Sequence, residues 1–191
     1  DPILLERIQP QGGITFKDDR YVHSGNGYET CIHIYEFPKK LDDFWLSKVC
    51  NINNTIVTVD ISTDNVMEVQ KNINRSMKEQ HQRYLGATDF QERYDARQRY
   101  QEMERLYDEI SAMGEVIKLL HVRIFVADRS FVELEEKVKG IMNRLESNGF
   151  RPAIFLNETK TEWLSMYRPY LEQQEEPFFT YGQPLTSNAV A

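Results

Sequence analysis

The stretch that most constrains the fold is residues 119–128, LLHVRIFVAD, the longest run rich in β-branched and apolar residues. A run of this composition is typical of a buried strand. A long charged segment precedes it and a helix with clear end signals follows it. The run therefore predicts a strand at the centre of a sheet, with one βαβ unit before it and a second after it.

Three further strands are predicted around this one. Ser24-Gly25-Asn26-Gly27 is a strong turn signal, so residues 20–37 predict a β-hairpin whose second arm spans residues 28–37. The β-branched run TIVTVDIST predicts a strand over Thr55–Thr63, and residues 152–156 predict another. Between the first two, apolar residues at helical spacing predict a short helix that ends near Cys50; these are Leu41, Phe44, Trp45 and Val49.

Residues 64–117 predict an antiparallel helical hairpin inserted between two strands. Its two narrow apolar stripes are separated by the breaker Gly86-Ala87-Thr88. The first stripe contains Val66, Val69, Ile73, Met77 and Tyr84, and the second contains Tyr100, Met103, Leu106, Tyr107, Ile110, Met113 and Ile117. Because the sheet topology is complete without it, one hypothesis is that the hairpin projects from the sheet and serves as an association surface. The alternative is that it packs back on the sheet and only buries its own surface.

Two S/T-x-x-E patterns, Ser130 with Glu133 and Thr159 with Glu162, predict capping boxes that open two later helices. Asn148-Gly149 predicts the end of the first, and Pro169 the end or a kink of the second. The complete order predicts an α+β fold: a ferredoxin-like split βαβ sheet with the inserted helical hairpin and an N-terminal β-hairpin. Residues 1–176 are expected to form a single domain that contains the insertion at 64–118, and residues 177–191 an irregular tail.

Composition excludes some classes of protein. The net charge of −7 disfavours a dedicated nucleic-acid-binding domain. No window approaches the roughly 18 consecutive apolar residues of a membrane span, and the N-terminal segment lacks the pattern of a signal peptide. Cys31 and Cys50 are expected to be reduced thiols, although one disulfide would suit a secreted domain.

No motif in the chain predicts chemistry. The phosphate loop G-x-x-x-x-G-K-[ST] is absent, so the chain is expected neither to bind nor to hydrolyse ATP. Cys31 and His33 share one face of a strand, but two ligands are too few for zinc and no second pair completes a site. We therefore assign no catalytic, cofactor-binding or metal-binding residue.

The helical hairpin carries the only candidate interaction surface, in which arginines alternate with tyrosines. Arginine and aromatic side chains together bind single-stranded nucleic acid by charge and stacking, which gives one reading of the segment. The other reading is a solvated helix, because six acids outnumber five arginines over residues 83–108. The candidate residues are Arg83, Tyr84, Arg93, Tyr94, Arg97 and Arg99.

The segment GGITFKDDRYVHSGNGYETCIHIYEFP, followed by an aromatic helix, TIVTVDIST and a charged helical hairpin, resembles the amino-terminal domain of the CagE/TrbE/VirB-type traffic ATPases. These ATPases serve type IV secretion and conjugative transfer. The chain resembles in particular those of Gram-positive mobile elements. The tail FFTYGQPLTSNAVA resembles the passage toward the ATPase domain of that family.

The resemblance implies a cytoplasmic docking and scaffolding domain, peripheral to the inner face of the cell membrane. Its partners would be other subunits of the secretion or conjugation apparatus, with self-association also open. The family's nucleotide-binding motifs belong to the carboxy-terminal domain, so the resemblance assigns no catalytic residue to this chain. A single-stranded nucleic-acid-binding module that uses the Arg/Tyr helix at 83–107 remains the alternative.

Overall fold

The computed structural model describes residues 12–38, 40–63, 66–113, 116–168 and 183–186. Within them the chain forms two compact units: one takes the residues up to 60 and from 120 to 183, and the other takes 61–119 and those from 184. The described strands are β1 (Ile14–Thr15), β2 (Val22–Ser24), β3 (Gly27–Glu36), β4 (Thr55–Thr63), β5 (Ile117–Asp128), β6 (Arg151–Ala153) and β7 (Gln183–Thr186). The described helices are α1 (Trp45–Cys50), α2 (Val66–Gly86), α3 (Phe90–Met113), α4 (Phe131–Ser147) and α5 (Thr159–Ser165).

The strands form a sheet in the order β1-β2-β3-β5-β4, while β6 also pairs with β3 and β7 with β5. The order β6-β3-β5-β4 is the one that the split βαβ pattern predicts, and β3 runs antiparallel to both β5 and β6. The α+β prediction is therefore confirmed. Strand β2 is the first arm of the N-terminal hairpin, and it pairs antiparallel with the start of β3. The sequence alone does not predict where this arm lies in the sheet.

The central strand is confirmed and is two residues longer than expected, since β5 begins at Ile117. Its residues 120–126 are all buried, as a strand covered on both faces requires. Ile117 was assigned to the second helical stripe, which is wrong. Ile117 fits the apolar pattern of the hairpin because its side chain packs with Ile73 and Ile110. The residue itself belongs to the strand and not to the helix.

Around β3 the helices cover the sheet with apolar side chains. Helix α4 packs against β3 and β6. The buried side chains of α4 are Leu134, Val138, Ile141 and Leu145. Gly149, with φ of 83°, ends this helix as expected. Cys31 is buried in β3, Cys50 is exposed at the end of α1, and both are free thiols.

Both predicted capping boxes are wrong in their side-chain contacts. At α4 the carboxylate of Asp128 takes the capping role, accepting the backbone N–H of Ser130 at 3.1 Å. At α5 the hydroxyl of Thr159 donates to the carbonyl of Asp19 at 2.8 Å, while Glu162 points into the protein interior. A local pattern cannot show the tertiary partner of Thr159.

Two element boundaries also differ from expectation. Helix α1 begins at Trp45, because Phe44 has a left-handed φ of 62° and its side chain is exposed. Strand β6 ends at Ala153 rather than at residue 156, because the chain turns at Asn157, with φ of 64°, whose N–H donates to the carbonyl of Asp19. The predicted stop at Pro169 lies outside the described residues, and α5 ends at Ser165.

The helical hairpin is confirmed and has a core of its own. Helices α2 and α3 pack along their length around buried Ile73 and Ile110. The partly buried side chains of this core are Val69, Met77, Met103, Leu106 and Tyr107. No helix in the described part of the chain is long and apolar enough to cross a membrane.

Candidate functional site

The tip of the helical hairpin, residues 83–99, holds all six candidate interaction residues. The chain reverses there at Ala87, which is buried, as is Ala96 on the facing helix. Small side chains at both positions let the two helices approach closely. Asp89 caps α3 by accepting the backbone N–H groups of Gln91 and Glu92 at 3.1 and 3.3 Å.

Arg93 and Tyr84 are brought together, and their role is structural. The Arg93 Nη2 donates to the carbonyl of Ala87 at 2.8 Å, so this side chain fastens the turn. Its guanidinium carbon lies 6.0 Å from the centre of the Tyr84 ring, at the edge of cation–π range. Tyr84 is half-buried between the helices. Arg93 and Tyr84 therefore stabilise the turn between the helices and are less suited to binding a partner.

Arg83 reaches across the turn to Glu92. The Nε–Oε1 distance is 3.9 Å, and both side chains remain about half exposed. Such a pair contributes between about 0 and 1 kcal/mol to stability. It nevertheless neutralises one arginine of the predicted basic surface.

Arg97 and Arg99 lie exposed on α3. Arg99 and Arg83 both line a shallow groove of about 300 Å³, whose other charged residues, Asp89, Glu92 and Asp95, are acidic. Within the described part of the chain, no hydrogen bond or ion pair holds Arg97. The arginines are therefore interleaved with carboxylates and do not form a continuous basic stripe.

An exposed apolar patch at the tip was missed by the sequence analysis, apart from Tyr94. The side chain of Leu85 is 68% exposed, that of Phe90 80% and that of Tyr94 51%. The rings of Phe90 and Tyr94 stack with their centres 6.5 Å apart and their planes 23° apart. The sequence carries one indication that these side chains are exposed, because Leu85 and Phe90 fall outside the two predicted apolar stripes. Large apolar side chains that are exposed next to one another, as Phe90 and Tyr94 are, are typical of an interaction surface.

A second cluster of polar residues, also missed, is buried in the sheet around Glu162. One of its oxygens, Oε2, accepts from Arg123 Nε at 2.9 Å and from the Cys31 thiol at 3.4 Å. The other, Oε1, lies 3.1 Å from His33 Nδ1. Arg123 Nη1 in turn donates to Asp60 at 2.8 Å. Cys31 and His33 do share one face of β3, as expected, but they meet a carboxylate there.

The electrostatics of the Glu162 cluster suit a structural role. Burial alone would raise the pKa of Glu162, but the hydrogen bond and charge of His33 and the charge of Arg123 hold that pKa below its ordinary value. Burial raises the pKa of the Cys31 thiol well above its usual range, and the neighbouring Glu162 adds to this. The thiol is therefore protonated and enclosed, which is unsuited to nucleophilic attack. No group of three potential ligands among the described residues is arranged to hold a metal ion.

His121 makes the stability of the fold depend on pH. Burial, together with the charge of Arg123, lowers the pKa of this imidazole to about 3 from 6.5. Below pH 6.5 the unfolded chain gains a proton that the folded chain does not, so stability should fall as pH falls toward 3. The slope from this one group is at most about 1.4 kcal/mol per pH unit.

We expect His121→Leu to flatten that dependence. Urea unfolding at pH 7 and pH 5 should show a smaller loss of unfolding free energy in the variant than in the unmodified chain. His81→Leu is the matched control, because His81 is exposed on α2 and should leave the slope unchanged. An equal slope for the His121 variant and the unmodified chain would contradict the prediction.

The comparisons with known proteins place the chain beside a longer relative. The chain matches no family model. It is 31% identical over 187 residues to an uncharacterized protein of Bacillus anthracis, pXO2-09. The aligned region covers 98% of this chain and 29% of the relative. The chain is thus similar, over nearly its whole length, to less than a third of a longer protein.

Proposed function

We propose that this chain is a non-catalytic docking and scaffolding domain of a conjugative-transfer ATPase of the type IV secretion class. The observation that carries the proposal is that Leu85, Phe90 and Tyr94 are exposed apolar side chains at the tip of a helical hairpin with its own core. Aromatic residues and arginines are enriched at the centres of protein interfaces. The tip offers both.

The wider setting is supported by resemblance. The order of elements resembles the amino-terminal domain of the traffic ATPases, and a plasmid-borne relative aligns along nearly the whole chain. In this proposal the domain works in the cytoplasm at the inner face of the membrane. Its partners are other subunits of the transfer apparatus, and ATP is handled by a different part of the parent protein.

Acidic and basic side chains lie side by side at the tip, which favours a protein partner over single-stranded nucleic acid. Glu92 pairs with Arg83, and Asp89 and Asp95 lie beside the same groove, so a phosphate backbone would meet carboxylates. Binding to phosphates releases counterions and therefore weakens steeply with salt. A titration with a single-stranded oligonucleotide at two salt concentrations separates the two classes: tight, salt-sensitive binding would favour the nucleic-acid module.

Trimming the tip should abolish docking and leave the fold intact. The ring centres of His81 and Tyr100 lie 6.0 Å apart, so a short Gly/Ser loop can replace residues 82–99 at that level of the hairpin. The side chains around Ile73 and Ile110 all lie outside the excised segment. We expect the parent protein with this change to express normally and to lose co-purification with the other subunits of its transfer apparatus.

The control replaces Arg75 and Glu79 by alanine. Both side chains are exposed and lie earlier in α2, outside the excised segment. This variant should keep its partners. If the trimmed protein is folded by circular dichroism and still co-purifies with the same subunits, the docking surface lies elsewhere and the proposal is wrong.

A further inference from the structure

A cavity of about 270 Å³ opens between the N-terminal strands and the start of α4. Its walls are largely aromatic, formed by Tyr21, His23, Tyr28 and Phe131. They come from β2, β3, the start of α4 and the loop before β2, so no single stretch of sequence predicts the cavity. It belongs to the sheet unit and is distinct from the hairpin tip.

The rings stand edge to face, as the walls of a box do. Tyr21 and Phe131 have centres 4.9 Å apart and planes at 77°, and Tyr28 and Phe131 are 5.6 Å apart at 68°. His23 and Tyr28 continue the wall at 4.6 Å and 81°. Phe131 remains 40% exposed although it is held by two ring contacts, so the box is open to solvent on its side.

Carboxylates supply negative charge around the rings. Asp18 lines the cavity, and its Oδ1 accepts the backbone N–H groups of Arg20 and Tyr21. Glu135 accepts the Tyr21 hydroxyl at 2.6 Å. Burial and this hydrogen bond raise the pKa of Tyr21 to about 12, so the phenol stays protonated and fixed on Glu135. Lys17 also lines the cavity and opposes a cation there.

We propose that this cavity binds an alkylammonium group, either the end of a lysine side chain or an N-methylated ammonium. Cations bind over the negative faces of aromatic rings, and boxes of such rings recognise methylated ammonium groups. The Tyr21 ring already attracts a cation in this structure, since the guanidinium carbon of Arg20 lies 5.4 Å from its centre. The negative charge of the Asp18 carboxylate favours a cationic ligand over a neutral ligand of the same shape.

The test is an amide NMR titration of the 191-residue chain with three probes: choline, its neutral isostere 3,3-dimethylbutan-1-ol, and N-acetyl-lysine methylamide. We expect choline to shift the amides near Tyr28 and Phe131 in a saturable way and the neutral isostere to bind more weakly. Binding of the lysine amide as tight as that of choline identifies a lysine side chain as the ligand. Weaker binding of the lysine amide identifies a methylated ammonium.

Four variants complete the test. Phe131→Leu removes a ring face, and Asp18→Asn removes the charge while keeping an acceptor for the turn. Each should weaken choline binding by about 2-fold to 30-fold. Lys17→Met should tighten it, and Val132→Ala, exposed on the same helix, should leave it unchanged. Equal binding of choline and its isostere, or full affinity in both the Phe131 and Asp18 variants, would overturn the proposal. Neither result bears on docking at the hairpin tip.

Discussion

Glu162→Ala should lower the free energy of unfolding by about 3–5 kcal/mol, the range observed when one partner of a buried ion pair is removed. Glu162 is only 2% exposed and accepts a hydrogen bond from the fully buried guanidinium of Arg123. Removing the carboxylate leaves that positive charge with only part of its compensation from Asp60. Urea denaturation at pH 7 measures the loss.

Two further variants make the interpretation specific. Glu136→Ala, an exposed acid on α4, should change stability by no more than about 0.5 kcal/mol. The double variant Glu162→Leu/Arg123→Met should lose less than the sum of its single variants, because an apolar pair needs no compensating charge. Strict additivity, or a Glu162→Ala loss no larger than the Glu136 control, would show that the buried ion pair is not a main determinant of stability.

Ile110→Ala should destabilise the helical hairpin by about 2–5 kcal/mol, the usual cost of truncating a buried isoleucine. Ile110 is buried at the centre of the hairpin core together with Ile73 and Ile117, while the other side chains of that core are only partly buried. We expect hydrogen exchange of amides in α2 and α3 to accelerate strongly, while amides of β3 keep their protection. That outcome follows because α2 and α3 belong to one compact unit and β3 belongs to the other.

Met67→Ala is the control for this prediction, since Met67 is an apolar residue on α2 that is 80% exposed. It should leave exchange in the hairpin nearly unchanged. Uniform acceleration across hairpin and sheet in the Ile110 variant would mean that the whole chain unfolds as one cooperative unit.

The sequence predicts most of the fold because hydrophobic periodicity is local. Thr55–Thr63 is a strand with the same bounds as expected, since its β-branched run is bounded by turn residues on one side and by polar residues on the other. The hairpin follows from two stripes at a 3.6-residue period. Ile117 shows the limit of that argument, because a strand residue that packs on a helical core carries the same pattern.

The buried cluster could not be predicted in this way. The cluster could be assembled only by strand pairing and by the packing of α5 on β3, because its members come from four separate elements: Cys31, His33, Asp60, Arg123 and Glu162. Glu162 also carried a misleading local signal, since its spacing from Thr159 matches a capping box. At the hairpin tip the sequence located the segment and its arginines, but the exposed patch depends on Leu85 and Phe90, whose exposure follows only from the packing of the helices.

The most direct measurement of the docking proposal is photo-crosslinking in living cells of the host of the parent protein. A photoreactive amino acid placed at Leu85, Phe90 or Tyr94 should form crosslinks to another subunit of the transfer apparatus. The same amino acid at Arg75 or Glu79, exposed on the same hairpin away from the tip, should form none. Crosslinks at Arg75 or Glu79 without any at the tip, or tip crosslinks solely to a second copy of the protein, would contradict the proposal.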